Sequence, residues 1–321
     1  MILKSAIEKN LDNCLEDTSF IDLPNRKKGK VRDTYDLGEK LVLITTDRQS
    51  AFDRILANIP FKGQVLNQVS AFWFEQTRDI VPNHVIAVPD PNVTVAKKCR
   101  VLPIEFVVRG YLTGSTDTSS WTQYSKGVRN LCGNALPEGM VKNQKFERPI
   151  ITPTTKSDLH DESISPHEII DRGIMDASTW ETCADIAFKL FDSGTQIASA
   201  HGLFLVDTKY EMGVDASGAI TLIDEIHTPD SSRYWLKDTY EDHLEKGKEP
   251  ENIDKEFLRL WFKDHCDPYK DAVLPEAPKE LVVELSSRYI TLYEMITGKN
   301  FTIDASVPIK DRLINNLRKY K

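Results

Sequence analysis

The chain of 321 residues is short of several features that mark common protein classes. No run approaches the roughly 18 consecutive apolar residues of a membrane span. The five cysteines, at 14, 99, 132, 183 and 266, are odd in number and scattered, with no CxxC pair. His265-Cys266 lacks the spacing of a zinc motif. A disulfide framework or structural zinc is therefore not expected, and free thiols suit a reducing compartment. Neither phosphate-binding fingerprint occurs, GxxxxGK with Ser or Thr after it or GxGxxG, and GxSxG, HExxH and HRD are missing too. There is no internal repeat and no low-complexity linker. The opening MILKSAIEKNLDNCLED has neither a long apolar core nor a cleavage site, so a cytoplasmic protein is expected. Excess basic charge is lacking as well. Lys plus Arg number 41 against 49 Asp plus Glu, 41 − 49 = −8. That balance argues against a general nucleic-acid binder but leaves room for a local basic pocket.

What is present is a soluble composition, 40% apolar and 28% charged, long enough for one large domain or two ordinary ones. Stretches 30–36 and 40–46 flank Leu37-Gly38-Glu39 and predict a hairpin. A short helix is expected over 5–16, and helical spacing runs over 65–77. An apolar strand over 104–108 leads into Arg109-Gly110. Ser165-Pro166-His167-Glu168 has the chemistry of a capped helix start, and Ser178 with Glu181 offers a second capping box before a helix to about Ala200. Helices near 254–264, 279–297 and 308–319 close the chain, with Gly298 as a stop. Strands first and helices last favour α+β over repeating βαβ units. A boundary is expected near 112–116, giving a β-rich part over 1–113 and an α+β part over 114–321.

Six segments concentrate polar chemistry. Lys28-Gly29-Lys30-Val31-Arg32 sets cations beside exposed N–H groups at a glycine, which suits a polyphosphate; a solvated basic edge strand is the plainer alternative. Asp47-Arg48-Gln49-Ser50-Ala51-Phe52-Asp53 leaves a buried-looking strand as ligand loops do, or forms a self-satisfied Asp–Arg pair. Arg109 with Ser115 beyond two glycines fits a monophosphate pocket, or else a structural salt bridge. Lys156, Asp158, His160 and Asp161 occupy a polar loop suited to a small zwitterion, or to plain solvation. Asp207, Lys209 and Glu211 alternate along a strand, with Phe204, Val206, Tyr210 and Met212 on the opposite face. A turn centred on Ser217 and Gly218 would set Glu211 opposite Asp224. Facing carboxylates repel unless a cation lies between them, and Mg²⁺ bridged to phosphate fits; a charged solvent face is the alternative. Arg233 adds a cation just beyond, or a salt bridge to Asp224 or Glu225.

Taken in order, GKVRD (29–33), TDRQSAFD (46–53), PIEFVVRGYLTGS (103–115), ITPTTKSDLHDE (151–162), GLFLVDTKYEMG (202–213) and LIDEIHTPDSSRYW (222–235) resemble the blocks of the SAICAR synthetase family of purine-pathway ligases. The resemblance implies a fold like a protein-kinase N-lobe followed by an ATP-grasp-like domain. It implies ATP as co-substrate with Mg²⁺, and L-aspartate and carboxyaminoimidazole ribotide as the other small-molecule substrates. By that resemblance Gly29, Lys30, Val31 and Arg32 line the nucleotide phosphates, and Glu105 to Val107 meet adenine through backbone groups. Glu211 and Asp224 match metal-binding carboxylates, and Lys209, with Lys30, lies near the transferred phosphoryl group. Arg109, Ser115 and Arg233 match the ribotide phosphate site. Lys156, Asp158, His160 and Asp161 match the aspartate and carboxylate loop, and Ser50 and Asp53 a substrate-lining loop. Without the resemblance, a kinase-like phosphotransferase or a non-catalytic nucleotide-binding module would use the same parts. No membrane or nucleic-acid partner is expected, and the protein is expected as a monomer or small homo-oligomer.

Overall fold

The computed structural model describes residues 2–52, 54–156, 162–253, 256–303 and 306–321. In chain order the first elements are α1 (Ile2–Glu8), β1 (Arg26–Lys28), β2 (Arg32–Asp36), β3 (Lys40–Thr45), β4 (Arg48–Ala51), β5 (Arg54–Asn58), α2 (Lys62–Gln76), β6 (Val85–Asp90) and β7 (Val93–Lys97). Next come β8 (Arg100–Tyr111), α3 (Ser120–Ser125), β9 (Asn130–Leu131), β10 (Asn134–Ala135), β11 (Lys145–Ile151), β12 (Thr154–Thr155), α4 (Pro166–Asp171) and α5 (Ala177–Ala200). Last are β13 (Leu203–Val214), β14 (Ile220–Ile223), β15 (Ser232–Leu236), α6 (Lys237–Glu245), α7 (Glu256–His265), α8 (Lys279–Thr297) and α9 (Ile309–Leu317). Among the described residues no helix is long and apolar enough to cross a membrane.

Two antiparallel sheets organise the α+β fold. One has the order β1-β2-β3-β7-β6; the other runs β11-β8-β13-β14, with β12 also on β8 and β15 also on β13. The β2–β3 hairpin forms as expected, because Gly38 takes the φ of 93° that its turn requires. Period-two alternation gives the first sheet two uses. Tyr35, Val42, Ile44, Val93 and Val95 face a core closed by Leu313 and Leu317 of α9. Leu41 and Leu43, one step out of phase, face a cavity.

The second sheet carries the larger core. Phe106 of β8 stacks on Trp180 of α5 with ring centroids 5.4 Å apart, and Gly110 lets the Phe191 ring lie against β8. The α8 residues Leu285, Tyr289, Ile290, Leu292, Tyr293 and Ile296 repeat at helical spacing and are buried. Gly298 ends that helix with φ 66°. The capping box at α4 forms: Ser165 accepts from the Glu168 N–H at 3.3 Å, and Glu168 accepts from the Ser165 N–H at 2.8 Å. At α5 the cap is Asp176, which accepts from the Thr179 N–H at 2.9 Å, rather than Ser178. Asp176 comes two residues earlier, so the helix has already begun at the rival capping box. The helix expected over 5–16 stops at Glu8, after which Asn10 bonds back to the Ala6 carbonyl.

Sheet membership changes between Lys97 and Arg100. A division at 113/114 would separate β8 from β11, β12 and β13, every strand with which it pairs. Strand β8 is also longer than the expected 104–108, because partners on both edges satisfy its backbone over twelve residues.

Candidate active site

The basic turn is built from behind. The Gly29 N–H donates to the Arg32 carbonyl at 3.0 Å, and a Cβ on Gly29 would collide with that same oxygen. Arg48 donates to the carbonyls of Gly29 at 2.9 Å and Lys30 at 3.2 Å and to Asp33 at 2.6 Å. Asp33 also takes Arg26 at 2.8 Å and Thr18 at 2.7 Å. The Asp–Arg pair considered for 47–48 is thus split. Arg48 braces the basic turn, while Asp47 accepts the N–H groups of Leu15 at 2.7 Å and Gly63 at 2.8 Å. Lys30 sits in the turn rather than on a strand with Arg32.

This turn roofs a cavity of about 400 Å³ whose wall includes Gly29, Lys30, Val31 and Arg32, together with Glu211, Asp224 and Glu225. Leu41, Leu43, Val101 and Ile223 give it an apolar floor. Glu105 and Val107 do not line it. Their backbone is held on both edges: Glu105 pairs with Glu211 and Thr154, and the Val107 carbonyl accepts from Thr152 at 2.8 Å while Val107 pairs with Lys209. Neither is open to an adenine. The main chain that borders the cavity is the crossing from β7 to β8, with Lys97, Cys99 and Val101 on the wall.

The acidic pair arises differently from the expected register. Glu211 pairs with Ile223, one residue short of Asp224. Asp224 follows the end of β14 with φ 65°, a left-handed conformation uncommon outside glycine that redirects the chain at the strand exit. There Arg32 donates to Asp224 at 2.5 Å and to Glu225 at 3.3 Å. Glu211 receives Lys209 at 2.5 Å and also Lys156, and Lys209 reaches Glu105 at 3.0 Å. Burial and then Asp224 push Glu211 up from the usual carboxylate range, against Lys209 and Lys156. Burial would raise Asp224 also, but Arg32 and Lys209 outweigh it and hold that carboxyl well below the range. Burial opposes the Lys209 charge, yet Glu211, Asp224 and Glu105 keep the ammonium well above its ordinary value.

The expected back face of β13 also needs correction. Tyr210 and Met212 enter the main core, but Phe204 and Val206 belong to a separate cluster with Tyr111, Trp235 and Tyr240. The pairing with β15 shifts by one residue between Leu205 and Asp207, a bulge at Val206 that switches the phase. Beyond the bulge, regular alternation keeps Asp207, Lys209 and Glu211 on one face.

A second cavity, of about 170 Å³, is lined by Lys209, the partner of Glu211, with Arg109, Asp207, Asp230, Arg233, Glu256 and Arg259. Arg109 donates to Thr152 at 2.8 Å and Asp207 at 3.3 Å, and Arg233 donates to the same Asp207 oxygen. Arg233 therefore meets neither Asp224 nor Glu225 among these bonds. Ser115 donates to Glu256, and Arg259 bonds Glu256 at 3.3 Å. Burial would raise Glu256, but Arg233 and Arg259 hold it below the usual range. Glu256, Arg259, Asp230 and Glu225 were not singled out from sequence as site residues. Only the adjacency of Glu225 to Asp224 and of Asp230 to Arg233 hinted at two of them, and nothing local marked the helix α7 pair. Ser50, half-buried on β4, lines neither cavity. Asp53, Asp158, His160 and Asp161 lie outside the described residues.

Fold and site together define an α+β enzyme with a cavity walled by a basic turn and carboxylates beside a smaller, arginine-rich pocket. The family model described as SAICAR synthetase matches residues 25–275. A phosphoribosylaminoimidazole-succinocarboxamide synthase of Legionella pneumophila (strain Paris) is 63% identical over 308 residues, 96% of this chain and 98% of that protein. The SAICAR-synthase from Saccharomyces cerevisiae, solved as a complex with SAICAR, superposes with a TM-score of 0.77 at 31% identity, over 90% of this chain and 100% of that one. A SAICAR synthetase solved in complex with ADP shares the fold, with a TM-score of 0.67 at 24% identity over 87% of this chain and 100% of that one. The chain belongs to the SAICAR synthetase family.

Proposed function

We propose that the protein joins L-aspartate to 5-amino-1-(5-phosphoribosyl)imidazole-4-carboxylate, forming SAICAR while ATP is cleaved to ADP and phosphate. One observation carries this reading: Glu211 on the wall of the larger cavity bonds Lys209, which lines the smaller one. A triphosphate in the first and a ribotide in the second would meet at that pair.

A carboxylate resists attack by an amine because its negative charge repels the nucleophile. Transfer of the γ-phosphoryl group to a carboxylate oxygen gives an acyl phosphate and releases ADP. The aspartate nitrogen then attacks the acyl carbon, the C–O bond to phosphate breaks, and the nitrogen loses a proton. The protein's share is positioning and charge neutralisation. Gly29, Lys30, Val31 and Arg32 would hold the phosphates. Lys209 would steady the negative charge shared by donor and acceptor during transfer. Arg109, Ser115 and Arg233 would hold the ribotide phosphate, with Asp207 orienting both guanidinium groups. Lys156, which already reaches Glu211, is within range of the carboxylate substrates in this reading.

The donor set fits Mg²⁺. Among the described residues no cluster of three or more His, Cys, Asp or Glu side chains could hold a metal. Two hard carboxylate ligands completed by phosphate and water suit Mg²⁺ better than a metal that needs a full protein cage. Glu211 and Asp224 would hold the ion, which would supply positive charge to the phosphates.

Purified protein given ATP, Mg²⁺, aspartate and the ribotide is expected to form ADP and the amide one for one, with no amide when aspartate is omitted. ADP formed on a hydroxyl acceptor without amide would overturn the reading in favour of a kinase. ATP binding without ADP formation, all substrates present, would overturn it in favour of a binding module.

A further inference from the structure

Lys62 opens helix α2, and its side chain is fully buried. Both facts disfavour its charge. The first turn of a helix carries the positive end of the macrodipole, and an ammonium taken from water is stable only against a close counter-charge. That counter-charge is Asp230, 168 residues on, whose Oδ2 accepts from Lys62 Nζ at 2.7 Å. The other carboxylate oxygen accepts from Tyr289 of α8 at 2.7 Å. With each oxygen held from a different helix, Asp230 has one orientation open to it. Its backbone N–H donates to Thr228 Oγ1 at 3.3 Å, which ties the side chain to the turn that leads into β15.

Asp230 is not a remote anchor. It lines the smaller cavity together with Ser231 and Arg233, as do Arg109 and Lys209. The wall is tied as well through Arg233 on Asp207, through the Lys209 N–H on the Ser231 carbonyl at 3.2 Å, through Ser232 on Thr208 at 2.7 Å, and through the pairing of β15 with β13. A buried ion pair is a weak source of net stability, because desolvation offsets most of the attraction. What it supplies here is a fixed position for the turn.

We infer that Lys62 is a positioning residue for the smaller cavity: through Asp230 it sets where the 229–233 wall, and with it Arg233, stands against the ribotide phosphate. This inference rests on the proposed reaction. Displacement of a substrate-holding wall by about 1 Å costs on the order of 100-fold. Lys62→Met keeps the unbranched stem as far as Cε and removes the ammonium group. It is expected to raise the ribotide KM by roughly 10- to 100-fold while the ATP KM stays within about twofold. Tyr289→Phe, which removes one hydroxyl and leaves the ion pair, is expected to move the ribotide KM in the same direction by about threefold. It decides the matter if Lys62→Met does not fold.

Steady-state kinetics on wild type and both variants, with melting temperatures alongside, gives the test. A selective rise in ribotide KM supports the inference. Unchanged kinetics in a folded Lys62→Met protein overturns it. So does an equal loss for ATP and ribotide that follows the fall in melting temperature. With Lys62→Met unfolded, an unchanged ribotide KM in Tyr289→Phe overturns it as well. A wild-type protein that makes no amide would sink the reaction itself, an outcome distinct from an active wild type with unaffected variants.

Discussion

The two adjoining cavities carry similar numbers of charges and use them differently. Around the larger one Lys30, Arg32 and Lys97 balance Glu211, Asp224 and Glu225, 3 − 3 = 0. Around the smaller one Arg109, Lys209, Arg233 and Arg259 exceed Asp207, Asp230 and Glu256, 4 − 3 = +1. The larger has an apolar floor of Leu41, Leu43, Val101 and Ile223; in the smaller the hydrophobic contribution is limited to Val107 and Pro229. A flat base with a polyphosphate tail suits the first, and a compact anion the second. The charge difference adds a further point. A tetra-anionic nucleotide entering a neutral wall needs cationic charge from elsewhere, whereas a phosphate monoester entering the smaller pocket finds an excess already there. In the proposed reaction Mg²⁺ is therefore needed on the side where the two carboxylates stand.

The sharpest way to break this comparison is to remove the carboxylates. Glu211→Gln and Asp224→Asn are expected to lower kcat by on the order of 100- to 1,000-fold, a loss typical when charge stabilisation at a reacting group is removed. Each variant should keep its fold, because Arg32 retains Glu225 and Lys209 retains Glu105. Circular dichroism and turnover at saturating substrates check this, and wild-type turnover in either folded variant would reject the metal-holding role.

The anion pocket should respond in binding rather than in turnover. Arg109→Ala is expected to raise the ribotide KM by roughly 10- to 100-fold, the value of one charge-assisted contact, with a small effect on kcat. Arg233 stays on Asp207 in that variant, so the buried carboxylate keeps a partner. The ATP KM should be unchanged within about twofold. If ATP and ribotide constants rise together, the two cavities are not separate in the way their charges suggest.

How far these cavities were legible in the sequence depended on distance along the chain. Gly38, the Ser165–Glu168 box and Gly298 act within a few residues, and the sequence-based expectation for each holds. Strand alternation and a turn also set Glu211 and Asp224 in one region, and both line the larger cavity. The register behind them was not readable: the bulge at Val206 and the left-handed φ of Asp224 are answers to packing on β15 and to Arg32. The family resemblance implied an adenine edge at Glu105 to Val107. Only the pairing of β8 on both sides reveals that their backbone is committed, and that the crossing at Lys97–Val101 borders the cavity instead. Contacts such as Lys62 with Asp230, or Arg32 with Asp224, join residues more than 160 apart, and no local pattern announces them.

The smallest effect separates the cavities by proton linkage. His84 lines the larger cavity, and burial lowers its pKa from 6.5 to about 4, with Asp224 opposing and Arg32 and Lys97 assisting. The folded-state value is depressed, so below the unfolded value the unfolded chain binds the extra proton. The stability that a neutral His84 contributes is full above about pH 6.5 and is lost as pH falls toward 4. Asp47 works in the opposite sense, since burial raises its carboxyl to about 6 and favours the folded state as pH falls through that value. The wild-type melting curve mixes these contributions, but the difference between wild type and His84→Gln isolates the imidazole. That difference is expected to change by up to about 1.4 kcal/mol, or about 2 °C in Tm, per pH unit through the window. Parallel melting curves for the two proteins between pH 6.5 and 4 would mean that His84 carries a proton in the folded protein over that range. A charged imidazole would then stand on the wall of the larger cavity, and its neutral balance, on which the contrast with the smaller one rests, would not hold.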